Sequence, residues 1–174
     1  TENKSYLVIF LMKFSILNTK KGDLDQIHAL NQLSLPAVSS ITINEMNKFL
    51  QIADYFRTLT INNEFAGFLI ALFPGKDYKS LNYKWFEKRY KSFIYVDRIV
   101  IKSKHRGKGL GKAFYSDLTK FSQHKINYIT CEVNIKPKNR DSIIFHKKYG
   151  FNEVGTQKTE NGKKEVSLMK LEIA

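Results

Sequence analysis

Arg106-Gly107-Lys108-Gly109-Leu110-Gly111 is the stretch whose reading decides the fold. It follows an almost unbroken apolar run, Phe93 to Ile101, and precedes a segment in which Leu110, Ala113, Phe114, Leu118 and Phe121 recur at helical spacing. A buried strand, a glycine-rich turn and an amphipathic helix in that order make a good holder for phosphate. The glycines let backbone approach an anion, the amides of the first helical turn lack intrahelical partners, and the helix dipole adds positive potential there. Lys102, Lys104, Arg106, Lys108 and Lys112 add five formal positive charges with no acid among them. The expected ligand is therefore a multiply charged anion. A Walker A loop would need glycine at Arg106 and Ser or Thr at Ala113, and the dinucleotide fingerprint would need its third glycine at Lys112. Both fail.

Working outward, the chain has 174 residues, 43% of them apolar, enough for one sizeable core. A single domain over residues 1–174 is expected, with 1–12 as an N-terminal extension. Lys and Arg number 29 against 16 Asp and Glu, and most of the excess lies in residues 93–174, where 17 basic side chains face 8 acidic ones. Such charge attracts polyanions without choosing among them. Cys131 is the only cysteine, so no intrachain disulfide or multi-cysteine zinc site can form. Tyr6 to Met12 is too short an apolar run to span a bilayer and lacks the flanks of a signal peptide, so the expected location is cytoplasmic and no membrane partner is expected.

Hydrophobic periodicity gives a mixed α/β order. Strands are expected at Phe14 to Asn18, Tyr55–Ile61, Phe65–Phe73, Phe93 to Ile101, Tyr128–Val133, Phe151–Thr156 and Lys164–Leu171. Helices are expected at Asp23 to Gln32, Asn44 to Ala53, Gly109 to about His124 and Asn139 to Tyr149. Residues 74–92 read as an irregular segment whose Tyr78, Tyr83, Trp85, Phe86 and Tyr90 form either a surface cluster or a substrate wall, with Tyr83 and Trp85 as the substrate-binding choices.

The loop, with Arg106, Gly109 and Gly111 in the defining positions of R/Q-x-x-G-x-G/A, resembles the acetyl-coenzyme A pyrophosphate loop of GNAT acetyltransferases. Asn139 to Phe151 is similar to that family's N-x-x-A-x-x-x-Y-x-x-x-G-F segment, with Ser142 where many relatives have alanine and His146 where they have tyrosine. Tyr78 to Phe86 with Tyr95 to Val100 further resembles a group of bacterial acetyltransferases. The resemblance implies a mixed, mostly antiparallel sheet flanked by helices on both faces, with two strands splayed at the acetyl-coenzyme A site. It also implies an acyltransferase that moves acetyl directly to an amine in a ternary complex, without a metal. Its cofactor residues would be Ile99, Val100, Ile101, Arg106, Gly107, Lys108, Gly109, Leu110, Gly111, Lys112, Asn139 and Ser142.

Alternation along Tyr128 to Asn134 puts Glu132 on the face opposite Cys131. Glu132 is the first choice for the base that takes the amine proton, with Asp97 as rival; Arg98 should point away from Asp97. His146 in the tyrosine slot is the expected proton donor to the departing thiolate as an imidazolium, or else a structural histidine, with Tyr149 and Tyr128 as substitutes. The acceptor would be a small molecule or peptide bearing an amine. The alternative is a non-catalytic protein of the same fold that binds acyl-coenzyme A or RNA, although no aromatic-and-basic RNA motif is present and nucleic acid is not the expected partner. A homodimer is left open.

Overall fold

The computed structural model describes residues 13–173; the apolar run Tyr6 to Met12 and most of the expected N-terminal extension lie outside them. Seven strands are formed: β1 (Phe14–Asn18), β2 (Tyr55–Ile61), β3 (Glu64–Leu72), β4 (Phe93–Ile101), β5 (Tyr128–Lys136), β6 (Asn152–Thr159) and β7 (Lys164–Glu172). Five helices accompany them: α1 (Leu24–Leu33), α2 (Ile43–Ile52), α3 (Leu81–Glu87), α4 (Leu110–Ser122) and α5 (Arg140–Tyr149). The strands make one sheet in the order β1-β2-β3-β4-β5-β7-β6, in which only β4 and β5 run parallel. This is the mixed, mostly antiparallel sheet that the motif pattern implied.

Both faces of the sheet's centre are covered because both faces of its central strands are apolar. Ile129, Cys131 and Val133 of β5 meet Leu110, Phe114, Tyr115 and Leu118 of α4, with Ile143 and Phe145 of α5 beside them. On the other face Ile27, Met46, Phe49, Tyr83 and Phe86, from α1 to α3, pack on Phe68, Tyr95 and Leu168. Helix α3 replaces the irregular segment expected over residues 74–92. Ser80 starts it by accepting the Tyr83 amide at 3.2 Å, and Tyr83 and Phe86, three apart, fill one face. Two inward residues are too few to register as a helical period in the sequence.

Residue Asp97 determines where the sheet opens. Ile70 of β3 pairs with Arg98 while Ala71 pairs with Val96, so Asp97 is the extra residue of a β-bulge. Strands β4 and β5 pair only from Phe93↔Tyr128 to Val96↔Cys131, and beyond that point β4 has no strand on its β5 side. The bulge also breaks side-chain alternation. Asp97 and Arg98, expected to point apart, form an ion pair at 2.7 Å with side chains only 4% and 6% exposed. The Arg98 guanidinium goes on to Asn31 Oδ1 at 2.7 Å and the Ser39 carbonyl at 3.1 Å, tying the end of α1 and the α1–α2 connection to β4. Tyr78 donates to the second Asp97 oxygen. Arg98→Ala would strand the Asp97 carboxylate and should lower unfolding free energy by about 3–5 kcal/mol in urea titration, the scale of a broken buried pair. A loss below about 1 kcal/mol would contradict this role.

Candidate active site

The gap between the diverging ends of β4 and β5 opens into a cavity of about 1620 Å³. One wall is the free edge of β4, Ile99, Val100 and Ile101. At the end of that wall the chain enters the glycine turn, where Gly107 at φ +73° and Gly109 at φ +80° occupy the left-handed region that disfavours other residues. The first intrahelical bond of α4 runs from the Ala113 amide to the Gly109 carbonyl at 3.0 Å. The amides of Leu110, Gly111 and Lys112 before it therefore lack intrahelical acceptors, and all three residues line the cavity. Arg106 and Lys112 bring cationic side chains to the same wall, whereas Lys108 is exposed and outside it. Backbone donors, a helix dipole and side-chain cations thus converge on one end.

Asn139 and Ser142 also line the cavity, and their local geometry explains the residue types. Asn139 caps α5 by accepting the Ser142 amide at 3.3 Å, while its own amide reaches the Asn134 carbonyl at 2.9 Å. The close approach of α4 to α5 falls at Gly111, where any side chain would collide with the Phe145 ring.

Glu132 enters the cavity from the sheet face opposite α4 and α5. Its Oε1 accepts a hydrogen bond from Tyr95 at 2.8 Å, and its Oε2 is sealed from solvent without a partner among the described residues. Burial, followed by the nearby Asp97 carboxylate, pushes its pKa up to about 7; the Tyr95 hydroxyl and the Asn82 amide oppose that rise. A carboxyl poised there can take a proton near neutrality. Asp97 lines the same cavity, but both of its oxygens are engaged, by Arg98 and Tyr78. Of the two carboxyls, only Glu132 keeps an oxygen without a hydrogen-bond partner among the described residues.

His146 is at odds with an imidazolium donor. It is 3% exposed, with Nδ1 2.7 Å from the Ser142 carbonyl and Nε2 2.7 Å from the Tyr115 hydroxyl. A carbonyl only accepts, so Nδ1 carries the proton and Nε2 accepts from Tyr115. Burial pushes the ring pKa down to about 4, against the smaller pull of the Ser142 bond, and the ring is neutral at physiological pH. Tyr149 also lines the cavity; burial raises its pKa, and it sits beside Thr119 in the second half of α4, away from the glycine turn. Tyr128 stands under the Lys170 ammonium, 4.1 Å from its ring centre, and is not part of the wall.

The two aromatic residues expected at the acceptor, Tyr83 and Trp85, do not line the cavity. Tyr83 is fully buried, donating to the Phe73 carbonyl at 2.6 Å and accepting the Lys76 amide at 3.0 Å, because a tyrosine on the inner face of α3 belongs to the core. Trp85 packs its ring over Gly155 of β6, with the Arg89 guanidinium 3.9 Å from its centre. From that segment the wall instead takes Tyr78, Ser80, Leu81 and Asn82. Ser39 carried no signal in the sequence, and Tyr95 and Asn82 stood in stretches that resemble relatives without any role being read for them, since each acts through a partner distant in the chain. For His146 a direct check exists: nitrogen shifts of its ring should report the neutral Nδ1–H tautomer from pH 5 to 8. A titration near 6.5 would contradict this environment.

No curated protein matches the sequence. Solved structures do resemble the fold. Ard1 from Thermoplasma volcanium superposes with a TM-score of 0.75 at 15% identity, covering 92% of this chain and 98% of that one. The ribosomal-protein-S18-alanine N-acetyltransferase from Escherichia coli gives 0.69 at 18% identity, covering 93% and 95%. NAA60 from Arabidopsis thaliana, solved with a bisubstrate analogue, gives 0.71 at 13% identity, covering 92% and 98%. At such identities the likeness shows the fold. Residues 25–151 match the acetyltransferase (GNAT) family, and that span holds the bulge, the glycine turn, Glu132 and all of α5. With most of its length matched, the chain belongs to the acetyltransferase (GNAT) family.

Proposed function

We propose that this protein transfers the acetyl group of acetyl-coenzyme A directly to an amine, with Glu132 as general base. The observation that carries the reading is the arrangement at the opened sheet. An anion-binding helix terminus and a proton-hungry carboxylate enter one cavity from opposite faces. The pyrophosphate would rest on the amides of Leu110, Gly111 and Lys112, with Arg106 and Lys112 neutralising its charge. The pantetheine arm would run along the β4 edge at Ile99 to Ile101, bringing the thioester to the apex of the gap near Cys131. Glycines at 107 and 109 keep that approach clear of side chains.

An ammonium acceptor cannot attack, so Glu132 must first remove its proton, directly or through water. The neutral nitrogen then adds to the thioester carbonyl, and collapse of the adduct breaks the C–S bond while the proton in excess on nitrogen leaves through cavity water, giving amide and coenzyme A thiolate. The thiolate takes its proton from Tyr149 or from water in the cavity. His146, with its one ring proton held by Ser142, is a support for Tyr115 and α5 in this reading. The named activities of the structural neighbours, one of which acetylates a ribosomal-protein alanine, agree with an amine as acceptor. The protein works as one domain and needs no metal.

Coenzyme A release from acetyl-coenzyme A over a panel of amines, amino acids, polyamines and peptides tests the reaction. Because Glu132 must be ionised, kcat/KM should rise with pH through about 7. Glu132→Gln should lower kcat by about 10²–10⁴-fold and abolish that limb, leaving acetyl-coenzyme A affinity unchanged. A Gln variant of near-normal rate would remove Glu132 from the mechanism. No thiol release with any amine, from a protein that also fails to bind the cofactor, would remove the whole reading.

A further inference from the structure

Among the described residues, the acceptor side of the cavity holds one cation that the proposed reaction does not use. Lys164 opens β7 and lies on the wall, half-buried. Its Nζ donates to the Ser39 hydroxyl at 3.0 Å, and it makes no ion pair with any described acid. Charged lysines on a cavity wall normally find an acid or turn to water. This one is held in place instead, because Arg98 bonds the Ser39 carbonyl at 3.1 Å and so fixes the residue that Lys164 touches. The bulge-borne Asp97–Arg98 pair thus positions Ser39, and Ser39 positions Lys164.

Three further features define what the ammonium faces. Arg98, the other cation on this side, has its charge taken by Asp97 and is not free for a ligand. Lys164 belongs with Val166 and Leu168, the β7 residues on the face that carries α1 to α3, so it stands across the sheet from the phosphate-binding end of α4. Leu168 pairs with Glu132, and four residues of strand place the Lys164 backbone ~13 Å along β7 from that point. Its ammonium is still near enough for its field to be felt at the Glu132 carboxyl. Glu160, exposed on the same rim, is not within ion-pair distance of Lys164.

We infer that Lys164 and Ser39 form an anion subsite for the acceptor, so that the substrate is a small primary amine that also carries a carboxylate or phosphate. The inference rests on the acetyl-transfer reading and names the substrate class of the same site. The amine end of such a molecule goes to Glu132 and its anionic end to the Lys164 ammonium. The Ser39 hydroxyl, which accepts from Lys164, still has its own proton to donate to the anion. A polyamine would put its second cation against Lys164. The cavity therefore selects against diamines by repulsion as well as for amino acids by attraction.

Four probes of matched size separate these cases: γ-aminobutyrate, phosphoethanolamine, butylamine and putrescine. In the wild type, kcat/KM for at least one of the two anion-bearing amines should exceed that for butylamine by about tenfold, the scale of one charge-assisted contact, with putrescine slowest. Which of the two is preferred tells carboxylate from phosphate. Lys164→Ala should raise KM for the preferred anion about tenfold with the KM for acetyl-coenzyme A unchanged, and the kcat/KM ratio of the preferred anion to butylamine should fall about tenfold, a ratio that cancels any effect of the lost charge on Glu132. Lys164→Arg should keep most of the preference, and Lys164→Glu should reverse it in favour of putrescine. Calorimetric binding of the anion-bearing amines to the coenzyme A complex reads the subsite without turnover. Lys164-dependent binding with no coenzyme A release would keep the subsite and sink the proposed reaction. Putrescine acetylated as fast as γ-aminobutyrate and phosphoethanolamine with Lys164 intact would overturn the subsite and leave the reaction standing. Failure of both anion-bearing amines to bind would overturn it too.

Discussion

The inserted residue at Asp97 keeps two parallel strands from closing on each other. Pairing of β4 with β5 stops at Val96 and Cys131, and the bulge re-aims the strand immediately beyond. A continuous ladder would leave no gap, and the glycine turn at the end of β4 would face a closed sheet. The bulge is held by charge: Asp97, Arg98, Asn31 and Ser39 form a buried chain of contacts that pins the first helical layer to the bulged strand. Buried ion pairs are weak sources of stability, since desolvation offsets most of their attraction. This one serves placement, because it fixes Asn31, Ser39 and Tyr78 on that side of the cavity.

Two electrostatic environments of opposite sign meet in the gap. On the α4 side, unpaired amides, Arg106 and Lys112 make a polar, cationic surface open to solvent, suited to a large anion that arrives with its own hydration. On the other side the Glu132 carboxyl sits with one oxygen on Tyr95 and the other sealed, with no hydrogen-bond partner among the described residues. Burial raises its proton affinity, so that it exchanges a proton near neutrality, which suits it to the proposed base role. The net charge of +13 would favour anionic partners anywhere on the surface. Selectivity for the proposed cofactor would therefore come from the glycine turn and not from charge alone.

The parts of this arrangement that were legible in the sequence are local ones. The glycine turn announces itself within six residues, and β2 and β4 have the bounds that their apolar runs suggested, Tyr55–Ile61 and Phe93–Ile101. The two faces of β5 follow from strand alternation, with Cys131 against α4 and Glu132 opposite. What could not be read depends on partners far along the chain. Alternation separated Asp97 from Arg98, but a bulge is decided by the pairing with β3, which no period in β4 reveals. Tyr95 and Glu132 meet across 37 residues, and only the fold brings them together. Tyr83 and Trp85 looked like a ligand wall because aromatics among polar residues resemble one, whereas a short helix turned Tyr83 into the core and laid Trp85 on β6. His146 filled a motif position correctly in sequence, yet its protonation state follows from burial against Tyr115, which the motif does not encode.

The central claim is that the opened sheet and the α4 terminus seat acetyl-coenzyme A. Amide hydrogen exchange measured with and without the cofactor tests it at the residues concerned. Saturating acetyl-coenzyme A should slow exchange at the β4 edge, Ile99 to Ile101, and at the first turn of α4, Leu110 to Lys112, with little change at the β1–β2 end of the sheet. Unchanged exchange at both segments, or protection confined to another surface, would contradict the account.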